Sequence, residues 1–263
     1  MADKIEAVML SQLFPFPDNP FKVNEGIEMD MLVESIKEFG IITPLIVRPV
    51  EDGYEIISGH RRYEAALKAG LEKVPAFVRD MTRNAAVVTL VDSNLQREHL
   101  LPSEKAFAYR MKLDAMKRQG CRTDLTSAQL EPKFRSNEML AHQSDDSRAT
   151  IQRYIRLTYL EKPLLDLVDE GKIAFTPAVE LSYLLPEEQA KLIETIESED
   201  CTPSLSQAQR MRKMSSDGVL DMDAIFSVMT EVKGNQKEYL KLPTEKYDRY
   251  LGRFHTPQQK EDF

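Results

Sequence analysis

The amino-acid sequence predicts an α+β protein in which a small α/β domain is followed by an all-α domain. Strand and helix patterns alternate over residues 1–100, whereas helical patterns and polar connectors continue from residue 103 without a convincing strand pair. Of the 263 residues, 42% are hydrophobic and 30% are charged, as in an ordinary globular protein. We therefore predict an α/β domain at 1–100, a helical domain at 101–214 and a C-terminal helical region without an assigned role at 215–263.

The elements of the α/β domain are predicted from apolar periodicity and turn residues. Apolar side chains recur at helical spacing over 28–39, and Gly40 follows as a helix stop. Strands at 44–49 and 54–57 flank Asp52 and Gly53, a dipeptide that favours a hairpin. The remaining predicted elements are a helix at 61–68, a strand at 74–79 and a helix at 83–93.

The second domain is predicted to be helical throughout. A long helix at 103–119 precedes a polar stretch at 120–135. Further helices are predicted at 136–142, 147–157, 162–170, 176–184, 187–197, 204–214, 221–232 and 245–253. The first two of these, joined by a polar turn, form a predicted helix-turn-helix at 136–157.

Bulk properties exclude several functional classes. No apolar run is long enough to cross a bilayer and the first ten residues lack an apolar signal core, so we expect a cytoplasmic protein with no membrane partner. Cys121 and Cys201 have no partners at metal-ligand spacing. The net charge of −8 argues against indiscriminate coating of nucleic acid, but one basic face on an acidic protein can still read a DNA site.

Two polar segments of the α/β domain are candidate phosphate sites. Gly59 separates a strand from a helix, where free backbone N–H groups suit phosphate, and Arg61 and Arg62 can add bidentate donors. Asn94 offers an oxygen or an amide to a metal or phosphate, and Arg97 offers a further guanidinium. An ordinary turn with solvated arginines and a capped helix end explain the two segments as well.

In this order and at this separation, the segments resemble the N-terminal domain of ParB partition proteins. Residues 18–20 (DNP) are similar to the family's Asn-Pro entry segment, and residues 35–48 (SIKEFGIITPLIVR) to the block that follows it. Residues 59–62 (GHRR) and 93–97 (SNLQR) are similar to its GERR and ENLQR boxes. The resemblance implies a ParB/sulfiredoxin-like fold for the first domain.

The resemblance also implies that this domain binds CTP with magnesium. The implied nucleotide-binding residues are Thr43 near the base, Gly59, His60, Arg61 and Arg62 in the phosphate box, and Asn94 and Arg97 in the second box. Asn94 would in addition help to place the metal ion.

Two departures from the family pattern concern hydrolysis. His60 and Ser93 stand where the two boxes have glutamates, and the family associates these acids with hydrolysis. A serine cannot act as a carboxylate base at neutral pH. We therefore expect nucleotide binding with weak or absent CTPase activity.

The second helix of the predicted helix-turn-helix has side chains suited to the DNA major groove. Its outer face carries the candidate DNA-binding residues Ser147, Arg148, Thr150, Gln152 and Arg153. A structural helix pair with a charged outer face fits the same pattern. The ParB family, however, places its DNA-reading motif here, and its SR-x-T/V start matches residues 147–150. If Lys133 and Arg135 contact DNA at all, they are expected to contact phosphate, whereas Asp145 and Asp146 would repel it unless they cap the helix.

The resemblance implies a nucleoid-associated partition protein that segregates a chromosome, plasmid or mobile element. It would bind double-stranded DNA at an inverted repeat as a homodimer, with a ParA-type ATPase as partner. Two alternatives remain open. One is a nucleotide-dependent enzyme of the same N-terminal fold, either a kinase or a nuclease. The other is a plain transcription regulator.

Overall fold

The computed structural model describes residues 5–23, 25–97, 99–120 and 146–231. Within these ranges, no helix is long and apolar enough to span a membrane. The helices predicted at 136–142 and 245–253 lie outside the described residues, as do Lys133, Arg135 and Asp145. The first half of the predicted helix-turn-helix is therefore a prediction only.

Among the described residues of the N-terminal half, five strands form one mixed sheet. They are β1 (Ile5–Met9), β2 (Leu13–Pro15), β3 (Leu45–Val50), β4 (Gly53–Ser58) and β5 (Lys73–Val78). Across the sheet the order is β1-β5-β3-β4-β2; the pairs β1/β5 and β3/β4 are antiparallel, and β3/β5 and β2/β4 are parallel. Val50 pairs with Gly53, which confirms the hairpin predicted around Asp52.

The strands β1 and β2 correct the sequence-based expectation, which contains no strand before residue 44. Both are edge strands, and β2 has only three residues. In β1 only Val8 is buried, so the alternation that reveals a half-buried strand is almost missing. Val8 pairs with Val74, far along the chain. These strands form because strands distant in sequence, β5 for β1 and β4 for β2, supply their hydrogen bonds. The local sequence of β1 and β2 does not reveal this pairing.

In the described part of this half, three helices cover the sheet, and all three were expected within one or two residues of their bounds. They are α1 (Ile27–Phe39), α2 (His60–Ala69) and α3 (Arg83–Leu95). Met29, Val33 and Ile36 of α1 pack with Ala65 of α2. On the other side of α2, Ala66 belongs to the sheet core. The start of α2 is thereby fixed against the end of β4.

The described part of the C-terminal half, residues 102–120 and 146–231, is helical, which confirms the predicted α+β architecture. Its helices are α4 (Pro102–Gly120), α5 (Arg148–Leu157), α6 (Lys162–Asp169), α7 (Phe175–Leu181), α8 (Pro186–Glu199), α9 (Leu205–Ser216) and α10 (Met222–Thr230). They share one core, in which Leu157, Leu164 and Leu192 are fully buried.

The helix α4 packs against both halves of the protein. Ala108 and Ala115 are buried in a cluster with Val87 and Leu90 of α3, whereas Ala106 belongs to the core of the helical half. The Ser103 backbone N–H and hydroxyl both donate to the carboxylate of Asp169 at the end of α6. This one helix therefore has buried contacts with both halves.

Candidate phosphate pocket and DNA-reading helix

A cavity of about 210 Å³ lies where β4, α2 and the end of α3 meet. Its lining residues are Asn19, Phe21, Lys22, Val23, Ser58, Gly59, His60, Arg61, Arg62, Asn94 and Arg97. Six of the seven predicted nucleotide-binding residues are thus brought together. Thr43 is not part of the lining, but its carbonyl accepts a hydrogen bond from Arg62.

Gly59 forms the floor of the cavity and requires the absence of a side chain. It caps α2 with φ 106° and ψ 23°, in the left-handed region. A Cβ here would lie 3.0 Å from Leu45 Cγ and 3.1 Å from Arg62 Nη2. No side chain therefore covers the backbone at the first turn of α2, where the N–H groups have no hydrogen-bond acceptor within the helix. This geometry suits a phosphate.

The two arginines near Gly59 differ in how many of their N–H groups already have hydrogen-bond partners. Arg62 Nη1 donates to the carbonyls of Thr43 and Pro44, and burial lowers the pKa of this arginine. Arg61 Nη2 contacts Glu28, whose side chain is 86% exposed, at 3.0 Å. The buried Nε of Arg61 has no hydrogen-bond partner among the described residues. An unsatisfied, buried and positively charged donor in a cavity wall favours an anionic ligand.

His60 is held uncharged at the edge of the pocket. The Phe16 backbone N–H donates to its Nε2 over a long distance of 3.5 Å. Burial lowers the pKa of His60 from 6.5 to about 4. A neutral imidazole supplies none of the negative charge that a glutamate would place here.

The end of α3 presents an oxygen and a guanidinium to the cavity. Asn94 Nδ2 donates to the Leu90 carbonyl at 2.8 Å, which leaves the carbonyl oxygen Oδ1 as the atom for a ligand. No partner of the Arg97 side chain is found among the residues described. Ser93 is exposed, donates to the Leu90 carbonyl and is not part of the lining.

The wall of the cavity that Asn19 and Lys22 form was not predicted as part of the site. Asn19 Oδ1 accepts from the Phe21 N–H in a local turn, and Lys22 follows it along the wall. The buried carboxylate of Glu104, in the first turn of α4, accepts from the backbone N–H groups of Lys22 and Leu101 at 2.8 and 3.0 Å. The Asn-Pro turn signal marks this segment, but only the tertiary contact with Glu104 places it at the cavity.

The helix α5 carries the predicted DNA-binding residues at its exposed N-terminal end. Ser147 is the N-cap: its Oγ accepts from the Thr150 N–H at 3.1 Å and lies 2.9 Å from Thr150 Oγ1. Arg148 and Gln152 are exposed. The Arg153 guanidinium lies over the Phe175 ring and donates to Thr176 Oγ1. The two hydroxyls therefore stabilise the helix start, while Arg148 and Gln152 project outward.

Asp146 neither caps α5 nor stands as an unpaired negative charge. It accepts hydrogen bonds from Tyr109 at 2.6 Å and from Lys105 at 2.5 Å, both on α4. Burial opposes ionisation of Asp146, but these bonds and the Lys105 charge outweigh it and lower its pKa. The expected repulsion of phosphate is thus reduced, and the start of α5 is fastened to α4.

Comparison with known proteins identifies both halves of the chain. The ParB N-terminal domain family matches residues 1–95, and the ParB HTH domain family matches residues 128–214. Together they cover more than half of the 263 residues. The chain belongs to the ParB family.

Individual relatives share most of this chain. The chromosome-partitioning protein Spo0J of Thermus thermophilus is 36% identical over 180 residues, 68% of this chain and 60% of that protein. A nucleoid occlusion protein of Listeria monocytogenes is 32% identical over 187 residues, 71% of this chain and 60% of that protein. The chain thus spans about 60% of the length of these relatives. The structure of a pNOB8-like ParB N-domain shares the fold, with a TM-score of 0.52 at 18% identity over 90% of this chain and 97% of that chain.

Proposed function

We propose that the protein is a site-specific DNA-binding partition protein whose DNA binding responds to a nucleotide. The observation that carries this proposal is the first turn of α4. There Glu104 holds a wall of the phosphate pocket, and the neighbouring Lys105 holds Asp146 at the start of the DNA-reading helix. One turn of one helix therefore contacts both candidate sites. Relatives named as partition and nucleoid occlusion proteins support a chromosomal role.

The pocket carries groups suited to a chain of phosphates, and we propose CTP from the family resemblance. The bare backbone at Gly59, the unsatisfied Arg61 Nε and the guanidinium of Arg97 would hold phosphate oxygens. Asn94 Oδ1 is a hard oxygen of the kind that magnesium accepts. Bound magnesium would neutralise part of the phosphate charge. The role of this chain's own residues is to bind and orient the triphosphate.

Turnover of the nucleotide should be slow or absent. His60 is neutral and engaged by the Phe16 backbone, and Ser93 is turned toward its own helix. The Ser93 hydroxyl cannot accept a proton from water as a carboxylate does, and the Nε2 lone pair of His60 already accepts the Phe16 N–H. Nucleotide binding and release, rather than hydrolysis, would then switch the protein between its nucleotide-bound and free states.

We further propose that the protein is a homodimer that reads an inverted repeat, associates with the nucleoid and acts with a ParA-type ATPase.

The test combines nucleotide binding with DNA selection on the full chain. Selection from a random duplex pool should enrich an inverted repeat, and Arg148→Ala should relax preference at one base pair in each half-site. Titration of labelled CTP with and without the selected duplex should give different affinities, whereas ATP should bind more weakly. Failure to enrich any sequence would refute site-specific binding. Equal CTP affinity with and without DNA would refute the nucleotide response.

A further inference from the structure

A row of alternating arginine and tyrosine side chains crosses the surface of the helical half. We define this Arg–Tyr ladder, in spatial order, as Arg110, Tyr159, Arg156, Tyr183 and Arg212. The Arg156 guanidinium carbon lies 4.5 Å from the Tyr159 ring centroid and 4.0 Å from that of Tyr183. Arg212 lies 3.6 Å from the Tyr183 centroid, and Arg110 lies 5.3 Å from that of Tyr159. The contacts join α4, the end of α5, the α7–α8 connection and α9.

The side chains of the ladder are held in place but remain accessible. Arg156 donates to the hydroxyl and carbonyl of the buried Ser182, and Arg110 donates to Thr158 Oγ1. The two tyrosines are nevertheless 53% and 43% exposed. Each of these exposed rings is contacted by two guanidinium groups, and formation of the hydrophobic core does not require such an arrangement. Cation–π stacking instead orders the arginines in advance, which lowers the entropy cost of binding a ligand.

The ladder is a local concentration of positive charge on an acidic protein. It contains three guanidinium groups, one of which, that of Arg212, pairs with the Glu180 carboxylate at 2.7 Å. Arg153 lies nearby on α5, over the ring of Phe175 at the start of α7. The chain as a whole carries a net charge of −8. A basic stripe on such a chain is the electrostatic footprint of a polyanionic partner.

The ladder also continues the candidate DNA-reading face. Arg148, Gln152 and Arg156 are four residues apart, so they follow one another along one side of α5. The helix rises about 12 Å from Arg148 to Arg156, which is about the width of the major groove. If the start of α5 lies in the major groove of DNA, the Arg–Tyr ladder lies at the edge of that groove, next to the phosphates of the DNA backbone.

We propose that the Arg–Tyr ladder binds the phosphate backbone of duplex DNA beside the bases contacted by α5. The inference deepens the proposed function and rests on it. The ladder would supply affinity without base preference, because guanidinium contacts to phosphate position a protein and carry no sequence information. Glu180 would limit that affinity, since its carboxylate neutralises one of the three charges.

The experiment measures duplex binding at several salt concentrations for the wild-type chain and for Arg110→Gln/Arg212→Gln. Each lost phosphate contact should lower the slope of log affinity against log salt by about 0.9. The double variant should therefore lose up to about 2 in slope, equally for selected and random duplexes. Arg210→Gln is the matched control, because Arg210 lies on α9 but pairs with Glu231 outside the ladder. Glu180→Gln should have the opposite effect and steepen the slope.

Two results would overturn the inference. One is an unchanged slope in a double variant whose thermal unfolding matches the wild type. The other is loss of self-association in sedimentation with unchanged DNA binding, which would make the ladder a contact between copies of this chain. The random duplex separates this inference from the proposed function. If selection enriches no sequence but the double variant still flattens the slope on random DNA, site-specific reading fails and the ladder stands.

Discussion

At the scale of single residues, the phosphate pocket depends on what its arginines already contact. Arg62 is engaged by the carbonyls of Thr43 and Pro44, so part of its hydrogen-bonding capacity serves the fold. Arg61 contacts only an exposed carboxylate through Nη2, and its Nε has no partner among the described residues. Of the two, Arg61 is therefore the better probe of ligand binding with little effect on folding.

We expect Arg61→Ala to weaken CTP binding at least tenfold. A charge-assisted contact to phosphate contributes about 1.5–3 kcal/mol. Isothermal titration of both proteins would measure the change. Lys68→Ala is the matched control, because Lys68 lies on the same helix and pairs with the exposed Glu25 away from the pocket. Equal affinities for wild type and Arg61→Ala, with both folded, would remove Arg61 from the site.

His60 should make folding sensitive to mildly acidic pH. The pKa of His60 is about 4 in the folded protein, and its ordinary value of 6.5 applies to the unfolded chain. Between these two pH values the unfolded chain therefore binds more protons than the folded one. The free energy of unfolding is therefore unaffected by His60 above pH 6.5 and decreases progressively as the pH falls from 6.5 toward 4. Urea unfolding at several pH values should show a shallower decline over this window for His60→Gln than for the wild type. Parallel declines would contradict the buried, neutral imidazole.

At the scale of elements, the DNA-reading helix is held at its start by α4. Ser147 and Thr150 complete the N-cap of α5, while Asp146 connects the preceding residue to Lys105 and Tyr109. The Lys105 Nζ also lies 4.8 Å from the Tyr154 ring centroid. The start of α5 is therefore tied to α4 by a small polar and aromatic cluster next to the candidate DNA surface.

Asp146→Asn should loosen the start of α5. Loss of the charged hydrogen bonds should cost on the order of 1 kcal/mol, since the Lys105 and Asp146 side chains are 24% and 22% exposed. Hydrogen exchange of the first α5 amides should accelerate, and affinity for the selected duplex should fall. Glu34→Gln, which breaks an exposed ion pair with Lys37, should change neither. Unaltered exchange in Asp146→Asn would show that packing alone holds the helix.

At the scale of the whole molecule, α4 joins the two halves through apolar and charged contacts. Its Lys112 is fully buried and pairs with Asp92 of α3, whose side chain is 46% exposed. Asp92 lies two residues before Asn94 of the phosphate pocket. A buried ammonium group requires its partner, because removing one member of such a pair leaves an uncompensated charge.

The Lys112–Asp92 pair should therefore behave non-additively. Asp92→Ala should destabilise the protein by about 2 kcal/mol, less than for a fully buried pair because Asp92 is half exposed. Adding Lys112→Met should restore part of that loss, since it removes the unpaired charge and keeps the volume. Urea unfolding of the four proteins of a double-mutant cycle would measure the coupling. Additive effects would mean that Lys112 reaches water after Asp92 is removed.

The sequence by itself determined most of the elements and most members of the candidate pocket. Apolar periodicity placed α1 and α3 within one or two residues of their bounds, and the Asp52-Gly53 turn predicted the hairpin. Six of seven predicted nucleotide-binding residues line one cavity, and it was the resemblance of short sequence boxes to those of the ParB family that implied these residues. These signals are local, so they can be seen in a linear sequence.

Only the tertiary structure decided the features that depend on distant partners. Edge strands β1 and β2 take their hydrogen bonds from segments elsewhere in the chain. Asp146, expected to repel phosphate, is instead paired with α4, and Glu104 brings the Lys22 backbone to the pocket wall. Side-chain charge and hydrogen-bonding capacity are readable from sequence, but the partner that satisfies them is chosen by packing. The physical reason is that burial and pairing free energies arise between segments brought together only in the folded chain.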